Sequence, residues 1–167
     1  TTLSDIAKRA GLTRGALYWH FESKEQLYGE LLGLIAKPIE AELREILSTA
    51  PPADVALRRF FERWFSLIES DERFRAVVEI IFEKTELVPE LAERDRQDTD
   101  ELIDAICFII GHGMKTGVFR ADLDAQRAGT AFYAYLMGIT GVWLEGRGYK
   151  AAEDAVAFVE IFIGGLR

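Results

Sequence analysis

The 167-residue chain is about half apolar (49%), 29% charged and carries a net charge of −8. This composition excludes an intrinsically disordered chain, and the length suffices for a full hydrophobic core without disulfides or metals. Cys107 is the only cysteine, so no disulfide can form within the chain and a reducing, cytoplasmic location is expected.

The acidic charge is unevenly distributed along the chain. Residues 1–28 hold four basic and three acidic side chains, a net charge of +1, whereas the remaining residues sum to −9. The opening segment is therefore the part that can approach a polyanion without strong repulsion.

A small helical head is predicted over residues 1–22. Apolar residues recur at helical spacing over residues 3–10, where Thr2 can cap the helix and Gly11 can end it. Thr13 can cap a second short helix, Arg14–His20. Two short helices joined by a tight turn are the outline of a helix-turn-helix.

A connecting helix follows the head. Ser23 and Gln26 form a capping-box pattern at its start, and we expect the helix to run over Lys24–Leu47 with a bend at Pro38. Pro51-Pro52 is the clearest break, which divides the chain into a head with connecting helix (1–47) and a bundle (48–167). Apolar spacing predicts the helices of this all-α bundle at 55–69, 74–81, 89–117, 124–145 and 151–166.

The stretch Ala128–Leu144 contains no charged residue. It falls short of the ~18 to 20 residues that a membrane span needs, so a buried helix is expected instead. An uncharged helix must be covered on nearly every side. We therefore expect it to pack inside the fold and against a second chain.

In a helix-turn-helix the second helix enters the major groove with its first residues at the base edges. Here those residues are Thr13, Arg14, Gly15 and Ala16. Polar groups farther along, on Tyr18, His20 and Lys24, are placed to hold phosphates. The alternative is that Leu12, Leu17, Trp19 and Phe21 fill a small core and the cations are merely solvated.

The segment Ile6–Tyr28, IAKRAGLTRGALYWHFESKEQLY, resembles the DNA-binding signature of the tetracycline-repressor (TetR) family. This resemblance implies an all-helical homodimeric repressor whose C-terminal bundle binds a small inducer. The residues implied to contact phosphates are Thr2, Thr13, Tyr18, His20 and Lys24. Those implied to face bases are Ser4, Arg14, Gly15 and Ala16.

Two bundle segments, EIIFEKTELVPEL (79–91) and AFYAYLMGITGVWL (131–144), resemble the AcrR/TtgR branch, whose members repress multidrug efflux pumps. This implies an apolar cavity for a lipophilic ligand. The implied lining residues are Trp64, Val78, Phe82, Ile109, Tyr133, Leu136, Met137 and Thr140. For each of them taken singly, ordinary core packing is the alternative.

The resemblance also implies how such a protein works. Two copies would pair through helices 124–145 and 151–166, placing two recognition helices about 34–36 Å apart on a palindromic operator. Ligand binding would push on the connecting helix and release the DNA. Family members begin with one further helix, which would precede the segment that opens this sequence. We expect that the sequence omits residues of the real protein; a poorly ordered head is the alternative. Without that helix we expect weak DNA binding.

Other functions are less well supported by the sequence. A helical protein-interaction module without DNA binding is the main alternative, motivated by the acidic bundle. The only two histidines are His20 and His112, which cannot be assembled with a nucleophile into a catalytic set, so no enzyme, cofactor or metal is implied. Glu79, Glu83 and Glu86 share a helical face, which we interpret as solvated or salt-bridged; a cation-attracting cavity rim is the alternative.

Overall fold

A computed structural model describes residues 13–83, 89–146 and 150–167. These residues form α-helices and no strand, which confirms the predicted all-α fold. The predicted first helix, with Thr2 and Ser4, lies outside the described residues. The helices are α1 (Arg14–His20), α2 (Lys24–Thr49), α3 (Ala53–Ser70), α4 (Glu72–Glu83), α5 (Pro89–Lys115), α6 (Ala125–Leu144) and α7 (Ala151–Leu166).

Side-chain caps fix the junction between α1 and α2. The Thr13 hydroxyl accepts a hydrogen bond from the Ala16 N–H at 3.2 Å, and the Ser23 hydroxyl accepts one from the Gln26 N–H at 3.1 Å. The Gln26 side chain accepts in return from the Glu22 N–H at 2.7 Å, one residue before the cap. The predicted capping box is thus present, and it sets where α2 begins.

The long helix α2 continues through Pro38 and ends at Thr49. Ala50 has a left-handed backbone, with φ 42°, and its N–H closes the last turn by donating to the Ile46 carbonyl at 2.9 Å. Pro51-Pro52 then separates α2 from α3, as predicted, because proline cannot continue the preceding helix.

Helix α3 is the centre of the core. It packs most extensively against α7, while α5 packs most extensively against α6. Phe61 is fully buried, and its ring lies 5.0 Å from that of Phe65, 5.9 Å from Phe132 and 6.0 Å from Tyr135. Such aromatic pairs add about 0.5–1.5 kcal/mol each beyond the apolar area that they bury, so this cluster holds α3 firmly to α6.

Glycine allows two close approaches between elements. A Cβ at Gly129 of α6 would collide with the Cys107 sulfur of α5. A Cβ at Gly113 would collide with the Phe119 ring and would lie 2.7 Å from the Ala53 Cβ. Both sites bring α5 closer to its neighbours than any larger residue permits.

Helix α6, which contains the uncharged stretch Ala128–Leu144, is covered on one side only. Ala128, Phe132, Leu136 and Thr140 are buried. Residues of another face remain exposed: Ala131, Ala134, Gly138 and Val142. Helix α7 likewise exposes Val156 and, at 70%, Ile161. Within the described ranges, no helix is long and apolar enough to cross a membrane.

Replacing Gly113 by alanine should lower the free energy of unfolding by about 1–3 kcal/mol, because the added methyl overpacks the contact with Phe119 and Ala53. Urea denaturation measures the change. Gly33→Ala is the control: its added methyl lies 3.8 Å from the nearest atom of Lys37, an ordinary contact, so better helix propensity should stabilise the protein. Equal stability changes in the two variants would contradict the packing argument.

Candidate DNA-binding helix and ligand cavity

The exposed surface of α1 is built mainly from small and polar residues. Gly15, Ala16, Tyr18 and His20 are exposed, and a Cβ added at Gly15 would meet no atom within 4 Å. A partner can therefore approach the backbone at the start of the helix closely. The backbones of Arg14 and Lys24 begin α1 and α2 respectively, and their side chains lie outside the described part of the structure.

Trp19 is 85% exposed, next to the predicted contact residues Tyr18 and His20. The alternative in which Trp19 fills a small core of the head therefore does not hold for this residue. Phe21 is partly buried and its ring lies 6.4 Å from that of His20. The surface of the head thus combines aromatic and polar side chains, as a phosphate-contacting surface requires.

Helix α2 joins this head to the bundle at two places. Tyr28 and Leu32 are buried near its start, where Ile80 and Ile81 of α4 pack against them in a cluster separate from the main core. Ile39 and Ile46, later in α2, belong to the main core. The two halves of α2 are therefore anchored to different helices.

An ion-pair network reinforces the second anchor. Arg59 of α3 lies 3.0 Å from the carboxylates of both Glu42 and Glu45 of α2. The hydrogen bond to Glu45, together with the charges of both carboxylates, raises the pKa of the Arg59 guanidinium above its ordinary value. Arg59 therefore stays charged and holds the C-terminal half of α2 against α3.

A cavity of about 450 Å³ lies between α2 and the bundle. Residues of α2, α3, α4, α5 and α6 enclose it. Its uncharged wall consists mainly of apolar residues: Leu32, Ile35, Ala36, Ile39, Leu43, Leu47, Trp64, Val78, Ile81, Phe82, Thr99, Leu102, Ala105, Tyr133 and Met137. Its charged residues are Glu40, Arg44, Asp98 and Glu101. Cavities of this size and character bind small organic molecules.

The structure brings together most of the residues predicted to contact a ligand. Those that line the cavity are Trp64, Val78, Phe82, Tyr133 and Met137. Ile109, Leu136 and Thr140 are instead buried in the core outside the cavity wall. Glu79 of the predicted acidic face is exposed and lies outside the wall, whereas the Glu83 side chain and Glu86 fall outside the described part of the structure.

Sequence reasoning missed the contribution of α2 to the cavity. Leu32, Ile35, Ile39 and Leu43 recur at intervals of three and four residues, so they form one helical stripe. This stripe could have predicted the contribution of α2, because an apolar face in the middle of a connecting helix indicates that the bundle covers it there.

Thr140 does not touch the cavity but positions a residue that does. The Trp64 indole N–H donates to the Thr140 hydroxyl at 3.0 Å, and this hydroxyl donates in turn to the Leu136 carbonyl at 2.8 Å. The Phe74 ring packs edge-on against the Trp64 indole at 5.4 Å. The indole is therefore fixed, with its only polar atom satisfied inside the protein.

Neither Cys107 nor Tyr135 shows the features of a reactive group. Burial and the nearby Asp104 raise the pKa of the Cys107 thiol, which keeps it protonated and weakly nucleophilic. Burial also raises the pKa of the Tyr135 hydroxyl, and this hydroxyl donates to the Phe158 carbonyl of α7 at 3.0 Å. Both residues therefore have structural roles.

Comparison with known families covers both parts of the chain. The model for bacterial regulatory proteins of the TetR family matches residues 1–31, and that for the C-terminal region of MAATS-type transcriptional repressors matches residues 54–167. The chain belongs to the TetR family. Its members are bacterial transcriptional regulators, and α1 lies within the matched N-terminal region.

Individual relatives agree with this assignment. The chain is 35% identical to the transcriptional regulator AcrR of Shigella flexneri, covering 98% of this chain and 78% of AcrR. It is 32% identical to TtgR of Pseudomonas putida, covering 86% and 70%. The crystal structure of native NalD, the secondary repressor of the MexAB-OprM multidrug efflux pump in Pseudomonas aeruginosa, superimposes with a TM-score of 0.83 at 27% identity, covering 99% and 85%.

Thr140→Val should destabilise this TetR family regulator by about 1–3 kcal/mol, because the buried Trp64 N–H loses its acceptor. Thermal and urea denaturation followed by circular dichroism test this. Thr130→Val is the matched control: Thr130 is exposed on the same helix and also donates to the carbonyl four residues earlier, but it accepts nothing from a buried group. If both variants lose the same stability, the Trp64 hydrogen bond is not the cause.

Proposed function

We propose that this TetR family regulator is a homodimeric repressor released from a palindromic operator by a small lipophilic ligand. One observation carries the proposal: the wall of the 450 Å³ cavity includes the helix α2 that begins directly after the DNA-binding head. A molecule in the cavity therefore contacts the element that sets the position of α1. Residues 1–47 form the DNA-binding domain with its connecting helix, and residues 48–167 form the ligand-binding and dimerisation domain.

The head contacts DNA through both ends of α1. Gly15 and Ala16, which are small and exposed, lie at the base edges beside Arg14. Tyr18 and His20 hold phosphates. The phosphate contacts are the same on any DNA sequence. The base contacts of Arg14 and Ala16 give the sequence preference.

Release requires the ligand to bind one arrangement of α2 better than the other. The cavity meets this requirement because Leu32 and Leu47, fifteen residues apart on α2, both contact it. A ligand that fills the space between α2 and the bundle displaces the helix between its two anchors. The displacement changes the separation of the two recognition helices in the dimer.

The dimer forms through the exposed apolar faces of α6 and α7. Ala131, Ala134 and Gly138 offer small side chains that allow another helix to approach closely, and Ile161 offers a large apolar one. Faces of this kind are unfavourable in water and favour burial between two copies.

The regulated gene is that of a multidrug efflux pump. The likeness to NalD supports this part of the proposal. The protein acts in the cytoplasm and does not catalyse a reaction.

Fluorescence anisotropy tests the repressor, using the full-length protein with the family's first helix included and labelled DNA from upstream of the gene. We expect tight binding that falls steeply with salt, since several phosphates are neutralised, and that a lipophilic drug abolishes. Tyr18→Phe should weaken binding about tenfold, because a hydrogen bond to a charged group contributes about 1.5 kcal/mol or more. Tyr133→Phe is the control, since it removes the same hydroxyl in the cavity and should leave operator affinity intact. If the unaltered protein shows no salt-sensitive binding, the helical protein-interaction module is favoured instead.

The dimer interface is tested by Ile161→Glu. This change places a charge on a side chain that is 70% exposed on α7, and we expect monomers at micromolar concentration because burying the unpaired carboxylate is costly. Sedimentation velocity gives the oligomeric state. Leu34→Glu is the control, since Leu34 is 41% exposed on α2 and should leave the dimer intact. A wild-type monomer, or an intact Ile161→Glu dimer, would refute the interface.

A further inference from the structure

The cavity has a charged end and an uncharged interior. Among the described residues of its wall, every charged one is exposed, with Glu40 and Arg44 on α2 lining the same space as Asp98 and Glu101 on α5. These four residues, which we call the mouth, are where a ligand meets water. In the interior, Leu32, Ile39 and Val78 are buried and carry no charge.

The interior cannot balance an ionic charge. Among the described residues that line it, the one buried residue with a polar side-chain group is Trp64, and its N–H already donates to Thr140. An ionic group placed against Ile39 and Val78 would lose its hydration without gaining a counter-charge, which is strongly unfavourable. A charged ligand must therefore keep its charge at the mouth.

The mouth is negative. Three carboxylates face one guanidinium, which leaves a net charge of −2. Across the described ranges, neither Arg44 nor Glu40 nor Asp98 takes part in an ion pair; Glu101 accepts only a long hydrogen bond of 3.4 Å from Gln97. The charges of the mouth are thus not consumed by structural partners and act on whatever enters.

We propose that the preferred ligand is a cationic amphiphile, with its apolar body in the interior and its positive group at the mouth. The inference rests on the ligand-binding role of the cavity given under the proposed function and specifies the chemical class and orientation of the ligand. Attraction by Asp98, Glu101 and Glu40 favours a cation, and the same charges repel an anionic head group of equal length. Because the mouth is exposed, water and salt reduce this preference but do not reverse it.

Three ten-carbon compounds with different head groups test the proposal: decyltrimethylammonium, decanol and decanoate, each below its aggregation threshold. Isothermal titration calorimetry on the full chain at low salt should give affinities that decrease in that order, with about tenfold between the cation and the anion. The difference should shrink in 0.5 M sodium chloride. Equal affinities, tighter binding of decanoate, or no binding of any of the three would overturn the proposal.

Matched variants locate the effect at the mouth. Asp98→Asn should lower the affinity for decyltrimethylammonium about threefold, and the double change Asp98→Asn with Glu101→Gln should lower it about tenfold. Both changes should raise the affinity for decanoate. Asp100→Asn is the control, because Asp100 is exposed on the same helix but lies outside the cavity wall and pairs with Arg96 at 3.0 Å. An equal loss of cation affinity in Asp98→Asn and Asp100→Asn would show a general charge effect and would refute the site.

The calorimetry uses no DNA, so its outcome is separable from that of the repressor assay. A protein that prefers the cation but never binds operator DNA would refute the repressor and keep the ligand class. A protein that binds the operator and is released equally by decanol and decyltrimethylammonium would refute the ligand class and keep the repressor.

Discussion

The packing of α2 against three helices of the bundle, α3, α4 and α5, is the constraint on which the rest of the molecule depends. Its first half rests on α4 through Tyr28 and Leu32. Its second half joins the main core through Ile46 and is tied to α3 by the ion pairs of Arg59. Because both ends are anchored, the stretch between them can face an empty volume without detaching from the bundle. The cavity thus exists because α2 spans it, and α2 links α1 to a bundle that holds it at several points.

The opposite wall is rigid for a different reason. Phe61 and its ring contacts to Phe65 and Phe132 form a close-packed centre, and Thr140 ties Trp64 to the same core. A close-packed interior has little room for gradual deformation. In the proposed mechanism the ligand therefore displaces α2 rather than this wall, and the displacement is passed to the DNA-binding head.

The sequence predicted the helices well because their end signals are local. Ser23 with Gln26, and Pro51-Pro52, act within one turn of chain, and the structure has helix ends beside both. The cavity was predicted only in part. Trp64 and Val78 were placed in it, whereas Leu136 and Thr140 turned out to face the core, because helical periodicity defines a buried face without saying which neighbour buries it. The charges of the mouth come from two helices far apart in sequence, and no local pattern joins Arg44 to Asp98.

Two of the three tryptophans lie in opposite environments, one in the DNA-binding head and one in the cavity wall. Trp19 in the head is 85% exposed, and Trp64 in the cavity wall is 5% exposed with its N–H hydrogen-bonded. An indole in water emits at longer wavelength than one in an apolar interior, so each end contributes differently to the emission spectrum, to which the partly buried Trp143 also adds. With Trp143 replaced by phenylalanine, the two remaining indoles serve as built-in optical reporters, one for the DNA-binding surface and one for the cavity.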